Sequence, residues 1–146
     1  MHWIGGGLEA ASAGHDVVMT PEEFCYLDHW QSADHAAEPR AFSKDGPKWN
    51  LPWPKVYEYA PMPANLAPSL QSHVLGAQGN LWTEYVASMR HAEYMAFPRL
   101  CALAELTWSP KASRNYDGFK RRIQPQLERF DCLEINYHKD GTTAGN

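Results

Sequence analysis

Apolar positions recur along the chain with two periods, and these divide it into short strands and helices. Leu8 to Ala13 reads as a brief helical stretch, and Gly14 fits the left-handed position just past its end. The β-branched run His15-Asp16-Val17-Val18-Met19 predicts a buried strand. Thr20-Pro21-Glu22-Glu23 predicts a helix start, with Thr20 as cap, Pro21 in the first turn and Glu23 completing a capping box. That order puts Phe24-Cys25-Tyr26-Leu27-Asp28 just beyond the C-terminal end of a strand. Residues 32–63 hold Pro39, Pro47, Pro52, Pro54, Pro61 and Pro63 with Trp49 and Trp53 among them. They predict a long loop without regular structure, a kind that is usually functional. His73 to Gln78 predicts a second strand running into Gly79-Asn80-Leu81-Trp82-Thr83-Glu84. From Val86 to Trp108 the pattern is helical, with Pro98 restarting the helix in the middle. Phe119, Ile123, Leu127 and Phe130 form an apolar stripe on a last amphipathic helix.

Strands alternating with helices predict an α/β arrangement with parallel strands. Two strands are plain, and a third is expected to end at Trp3. A closed (β/α)₈ barrel takes about 250 residues. The expectation is therefore the C-terminal portion of such a TIM barrel, its last two to three βα units, as an incomplete barrel. Residues 1–137 are expected to form this partial catalytic-type domain and 138–146 a disordered tail. No internal repeat, low-complexity tract or linker interrupts them.

Composition narrows the chemistry. Of 146 residues, 44% are hydrophobic and 21% charged, which marks a folding chain rather than a disordered one. The net charge of -4, without a basic stripe, argues against a nucleic-acid partner. No apolar run approaches the roughly 18 residues of a membrane helix. Met1-His2-Trp3-Ile4-Gly5 lacks the basic and apolar regions of an export signal, and the compartment stays open. Cys25, Cys101 and Cys132 give neither a disulfide framework nor zinc spacing, and three free thiols, mostly buried, are expected. Six tryptophans are many for this length.

Three short motifs set an aromatic residue at or beyond a strand end: His2-Trp3, Tyr26-Leu27-Asp28 and Trp82-Thr83-Glu84. The last two add a carboxylate two positions on. Alternation puts Tyr26 with Asp28, and Trp82 with Glu84, on one side of an extended segment. An indole covers the apolar face of a pyranose, and a carboxylate accepts from its hydroxyls. The pairing suits a neutral polyol and repels a phosphate. Core burial competes with this role at Trp82. Trp108, beside Leu103 and Ala104, is expected in the core, while Trp30, Trp49 and Trp53 stay open between loop packing and substrate contact. Gly5-Gly6-Gly7 has the spacing of neither a dinucleotide fingerprint nor a P-loop. The seven histidines, His29 and His35 included, show no zinc spacing. Neither cofactor nor metal is expected.

Two longer blocks carry a family resemblance. One runs Gly76-Ala77-Gln78-Gly79-Asn80-Leu81-Trp82-Thr83-Glu84-Tyr85, then Phe97-Pro98-Arg99-Leu100-Cys101-Ala102-Leu103-Ala104-Glu105-Leu106-Thr107-Trp108-Ser109. The other is Gly14-His15-Asp16-Val17-Val18-Met19-Thr20-Pro21 with Tyr26-Leu27-Asp28. From about Trp3 to Tyr137 the chain resembles the end of the catalytic domain of family 20 glycoside hydrolases, the β-N-acetylhexosaminidases. The resemblance implies a (β/α)₈ barrel that removes terminal N-acetylglucosamine or N-acetylgalactosamine from oligosaccharides or glycoconjugates. It implies substrate assistance, in which the sugar's acetamido oxygen attacks the anomeric carbon and forms an oxazolinium. It gives Trp3 and Trp82 as walls of the sugar box, Tyr26 as donor to the acetamido oxygen, and Asp28 and Glu84 as acceptors for hydroxyls. Arg99, Glu105 and Trp108 match the pattern as structural residues. The family's catalytic Asp-Glu pair lies on an earlier strand, and this chain has no Asp-Glu dipeptide. Ile4 stands where many members carry a polar or basic residue. The resemblance thus implies a fragment that lacks the N-terminal barrel half, is inactive alone, and comes from a parent exported to the periplasm or secreted. A non-catalytic or vestigial carbohydrate-binding product is the alternative.

Overall fold

The computed structural model describes residues 6–42 and 49–139. The expected strand ending at Trp3, and the tail from residue 140 on, lie outside the described residues. Helix α1 (Gly6–Ser12) runs into Gly14, whose φ of 82° suits glycine and turns the chain into β1 (Val17–Met19). A short helix α2 (Glu22–Cys25) follows, then a long excursion, then α3 (Trp53–Glu58). A 3₁₀ turn, Pro68–His73, leads into β2 (Val74–Ala77). Helices α4 (Met89–Ala96) and α5 (Arg99–Trp108) meet at Pro98, and α6 (Tyr116–Cys132) closes the order.

The strands β1 and β2 pair in parallel, with Val18 opposite Gly76 and Met19 opposite Ala77. The register slips between Val17 and Val18, across from Gly76, whose φ of 144° only glycine tolerates well. Parallel pairing needs a covered crossover. Here residues 20–73 supply it, and α3 packs on α5, which in turn packs on β2. One apolar cluster joins the layers: Leu27, Trp53, Val56, Leu103, Leu106, Phe119, Ile123, Leu127 and Phe130 are all buried in it. The predicted stripe of α6 is thus its buried face. Caps agree with local chemistry where a short polar side chain is available. Ser88 accepts from the His91 N–H at 3.2 Å, and Asn115 from the Gly118 N–H at 2.6 Å.

Four expectations are corrected. Thr20 and Glu23 form no capping box: Pro21 precedes α2 without a side-chain cap, and the Thr20 hydroxyl instead accepts from Asn80 Nδ2 at 2.5 Å. The stretch 32–63 is not wholly irregular, because it contains α3, with Pro54 in the first turn, where a missing N–H costs nothing. The thiols are graded rather than mostly buried: Cys25 is buried, Cys101 half-buried and Cys132 exposed. Trp108 is not core but 89% exposed. The buried face of α5 is Arg99, Ala102, Leu103 and Leu106. Trp108 lies two residues past Leu106, about 200° round the helix at 3.6 residues per turn.

This geometry fixes a contrast. In the 146-residue chain, Leu106→Ala should cost about 2–5 kcal/mol by leaving a cavity. Trp108→Ala should stay within about 0.5 kcal/mol, as exposed positions do. Urea unfolding followed by circular dichroism measures both. An equal loss at the two positions would show that Trp108 is packed.

Candidate functional site

The parallel pairing of β1 and β2 continues beyond the strands themselves. Tyr26 and Asn80 form an isolated parallel bridge, in which Leu27 N–H donates to Asn80 O at 2.6 Å and Asn80 N–H to Cys25 O at 2.8 Å. The Asn80 side chain is held by Gln78 Nε2, which donates to its Oδ1 at 2.5 Å, while its Nδ2 donates to Thr20. Segments 26–28 and 80–84 therefore leave the carboxyl ends of the strands side by side. Ligand sites of parallel sheets gather at that end.

Between the two segments lies an open cleft of about 530 Å³, lined by Glu22, Tyr26, Asp28, Phe42, Trp82, Glu84 and Tyr85. Four of the five site residues expected from the sequence meet here: Tyr26, Asp28, Trp82 and Glu84. The fifth, Trp3, lies outside the described residues. The Tyr26 and Trp82 rings meet edge to face, with centroids 6.0 Å apart. Trp82, for which core burial competed, is 40% exposed and offers its indole to the cleft. Glu84 is exposed, whereas Tyr26 and Asp28 are buried in the cleft wall.

Among the described residues, neither the Tyr26 hydroxyl nor Asp28 Oδ1 has a hydrogen-bond partner. Most buried polar atoms in folded proteins are paired, and an orphan needs a reason; Tyr59 Oη and Gln31 Oε1 are others among the described residues, but these two share the cleft wall. Two such atoms on one wall, beside an exposed indole, form a donor and an acceptor set for a small polar ligand with an apolar face. Burial pushes the Asp28 carboxyl up to about 6. Its own backbone N–H and the Arg99 charge offset this in part, and Glu84 and Glu22 add to it.

Three lining residues lie outside the aromatic–carboxylate motifs: Glu22, Phe42 and Tyr85. Glu22, whose sequence context predicts a helix cap, stands on the cleft, with its carboxylate 3.4 Å from His29 Nε2. Phe42 comes from the long loop, and its N–H donates to Asp28 O at 2.8 Å. Tyr85 directly follows the recognised Trp82-Thr83-Glu84, and Arg40 stacks over its ring at 4.4 Å. The aromatic content of the loop was the available signal for Phe42. The other loop aromatics pack. Trp53 is buried in the core, Trp30 stacks on His35 and Trp49 on His29. The described residues include no group of three or more His, Cys, Asp or Glu side chains able to hold a metal.

Fold and cleft together define a parallel α/β protein with an open, aromatic- and carboxylate-lined cleft beyond its strand ends. Residues 1–111 match the sequence profile of the glycosyl hydrolase family 20 catalytic domain, and the chain belongs to that family. It is 43% identical over 141 residues to the β-hexosaminidase of Porphyromonas gingivalis, covering 94% of this chain and 17% of that protein. It is 30% identical to the β-hexosaminidase of Akkermansia muciniphila, over 92% of this chain and 25% of the relative. The family 20 exo-β-N-acetylglucosaminidase of Vibrio harveyi, solved in complex with N-acetylglucosamine, superposes with a TM-score of 0.78 at 32% identity. That match covers 94% of this chain and 21% of the other. The Streptomyces plicatus N-acetyl-β-hexosaminidase, in complex with Thio-NAglucal, gives 0.79 at 28% identity, over 95% of this chain and 26% of the other. The chain thus spans at most about a quarter of these proteins.

The raised Asp28 carboxyl has a consequence for stability. The folded state holds the proton up to about pH 6, and the unfolded chain releases it near 3.8. Stability contributed by this group is therefore full below about pH 4 and is lost as pH rises through 6. Asp28→Asn removes the charge and should raise the melting midpoint above pH 6, by the equivalent of up to about 3 kcal/mol. The gain should shrink to nothing near pH 4. Melting curves of both proteins across that range check it, and a pH-independent difference would mean that Asp28 is not the group responsible.

Proposed function

We propose that this chain is the C-terminal portion of a β-N-acetylhexosaminidase barrel, its last two to three βα units, and supplies the sugar-binding wall. The observation that carries the reading is the pair of buried, unpartnered polar atoms, Tyr26 Oη and Asp28 Oδ1, beside the exposed Trp82 indole. Family membership supplies the substrate class, terminal N-acetylglucosamine or N-acetylgalactosamine on oligosaccharides and glycoconjugates. The incomplete-barrel part is supported by the sheet, which has two strands among the described residues. Apolar side chains left outside the core, Leu75 and Trp108 among them, support it further.

In the proposed mechanism the acetamido oxygen of the bound sugar attacks its own anomeric carbon. The new C–O bond closes an oxazolinium as the glycosidic bond breaks. An acid from the missing barrel half protonates the leaving oxygen, and water then opens the ring with retention. The hydroxyl of Tyr26 donates to the acetamido oxygen and aims it. Trp82 stacks on the sugar, and Asp28 and Glu84 accept from its hydroxyls. Trp3 is assigned a second wall of the same box. No cofactor or metal takes part. The chain's lack of an Asp-Glu pair favours one alternative, a carbohydrate-binding product without catalysis.

The two readings share a first result. The 146-residue chain alone should not release phenol from an aryl N-acetylglucosaminide, because general acid help, worth about 10²–10⁴ in rate, is missing. Turnover within the usual enzyme range of about 1–10³ s⁻¹ would overturn the fragment reading.

They part when the barrel is completed, for example by grafting residues 1–137 onto the preceding part of the Porphyromonas gingivalis relative. Hydrolysis by the chimera, and not by either half, is the hydrolase outcome. In it, Tyr26→Phe should lower kcat by roughly 10- to 10³-fold, as loss of one well-placed donor does. KM should change little, because stacking and the hydroxyl contacts remain. An unchanged kcat would remove Tyr26 from the site.

A further inference from the structure

Arg99 is an unusual component of an apolar cluster. It opens α5, is 0% exposed, and is the largest fully buried side chain among the described residues. Its acceptors are main-chain carbonyls. Nη2 donates to Leu27 O at 2.5 Å, Nη1 to His29 O at 2.8 Å and to Leu51 O at 3.2 Å, and Nε to Met95 O at 3.0 Å. A guanidinium needs no such site for packing, and an apolar residue of similar volume would avoid the cost of burying its charge. Two of its acceptors, Leu27 O and His29 O, belong to the residues on either side of Asp28. The carbonyl of Asp28 itself is taken by the Phe42 N–H. Three consecutive carbonyls are thus tied, two of them to one rigid fork.

We infer that Arg99 is the positioning residue of the sugar site: from behind the cleft it fixes the main chain around Asp28 and supplies the cation that keeps this buried carboxylate usable. The inference rests on the reading of Asp28 as an acceptor for sugar hydroxyls. Charge and shape point the same way. The groups that bear on Asp28 are Glu22 from α2, Glu84 from the segment after β2, and Arg99 from α5; the first two are acidic and disfavour its ionisation. Arg99 is the cation that opposes them. Its other counter-charge, Glu38, accepts from the N–H groups of Gln31 at 2.9 Å and of Ser32. The chain just after residues 27–29 is thereby tied to a carboxylate that also bears on the guanidinium. Burial lowers Arg99 to about 9, which leaves it charged at neutral pH. Lysine cannot replace it, since one ammonium lacks the planar fork that spans two carbonyls.

The test compares the full chain with Arg99→Lys, which keeps the charge and loses the fork, and with Arg99→Met, which loses both. Ile123→Ala on α6 serves as a control that weakens the core away from the cleft. Two properties are read: affinity for N-acetylglucosamine, and the titration midpoint of the Asp28 carboxyl carbon by NMR. The expected result is a loss of sugar affinity of about 10-fold or more in Arg99→Lys, the loss of one good polar contact, with none in Ile123→Ala. The Asp28 midpoint should rise by about one pH unit in Arg99→Met and stay near the native value in Arg99→Lys. Native affinity in Arg99→Lys, or an unmoved midpoint in Arg99→Met, would overturn the inference. So would failure of both variants to fold, which would assign Arg99 to the core alone. If the unaltered chain binds no N-acetylglucosamine but the midpoint still rises in Arg99→Met, the sugar reading fails while the link between Arg99 and Asp28 stands.

Discussion

Leu27 N–H to Asn80 O and Asn80 N–H to Cys25 O are the two hydrogen bonds on which the cleft depends. They carry the β1–β2 pairing past the ends of both strands and bring residues 26–28 beside residues 80–84. Without them the two segments would share only a sheet edge, and Tyr26 would have no reason to meet Trp82. The side chain of Asn80 is buried, and its own bonds to Gln78 and Thr20 are the cost of making this extension rigid. The Thr20 hydroxyl is spent on Asn80 rather than on a helix cap. A local preference has yielded to a contact 60 residues away.

Behind that junction the core is arranged around a charge. Helices α3, α5 and α6 close on a cluster rich in aromatic and branched side chains, into which Arg99 projects. A buried cation is tolerated because carbonyls of Leu27, His29, Leu51 and Met95 replace its water. In front of it, Asp28 is buried with one oxygen unpaired and its carboxyl raised to about 6. Neither arrangement is what packing alone would select. Sites that bind polar ligands accept such local destabilisation, because a carboxylate already paired within the protein has fewer lone pairs to offer.

Much of the fold was legible because it follows local period and turn chemistry. The α6 stripe, the break at Pro98, the left-handed Gly14 and both strands could be read from residues a few positions apart. The misreadings share a cause, which is that they needed partners distant in sequence. Six prolines in 32 residues suggested a loop, yet Pro54 suits the first turn of α3 once Trp53 and Val56 have a core to enter. Trp108 looked apolar enough for the interior, but the face of α5 that is buried is fixed by Arg99, Ala102, Leu103 and Leu106. At the site, alternation and family resemblance named Tyr26, Asp28, Trp82 and Glu84. They could not give Glu22 or Phe42, whose place on the cleft depends on how the chain after Asp28 folds back. The burial of Asp28 and the direction of Arg99 had no sequence signal beyond their presence in a recognised block.

In the proposed reading the division of labour along the barrel follows from the chemistry itself. When the nucleophile is part of the substrate, the protein needs no nucleophilic side chain on the wall that holds the sugar. That wall must orient, and orientation depends on how little its groups can move. The observed construction meets this demand with strand-end segments tied to each other by main-chain bonds, and to α5 by one planar cation. Proton transfer to the leaving oxygen makes a different demand, an acid on the far side of the glycosidic bond, which can stand on other strands of the same barrel. A rigid wall and a separate acid need share only the sugar between them. For that reason the 26–28 and 80–84 segments can carry a share of the orienting function, beside the wall assigned to Trp3, while the cutting acid stands elsewhere.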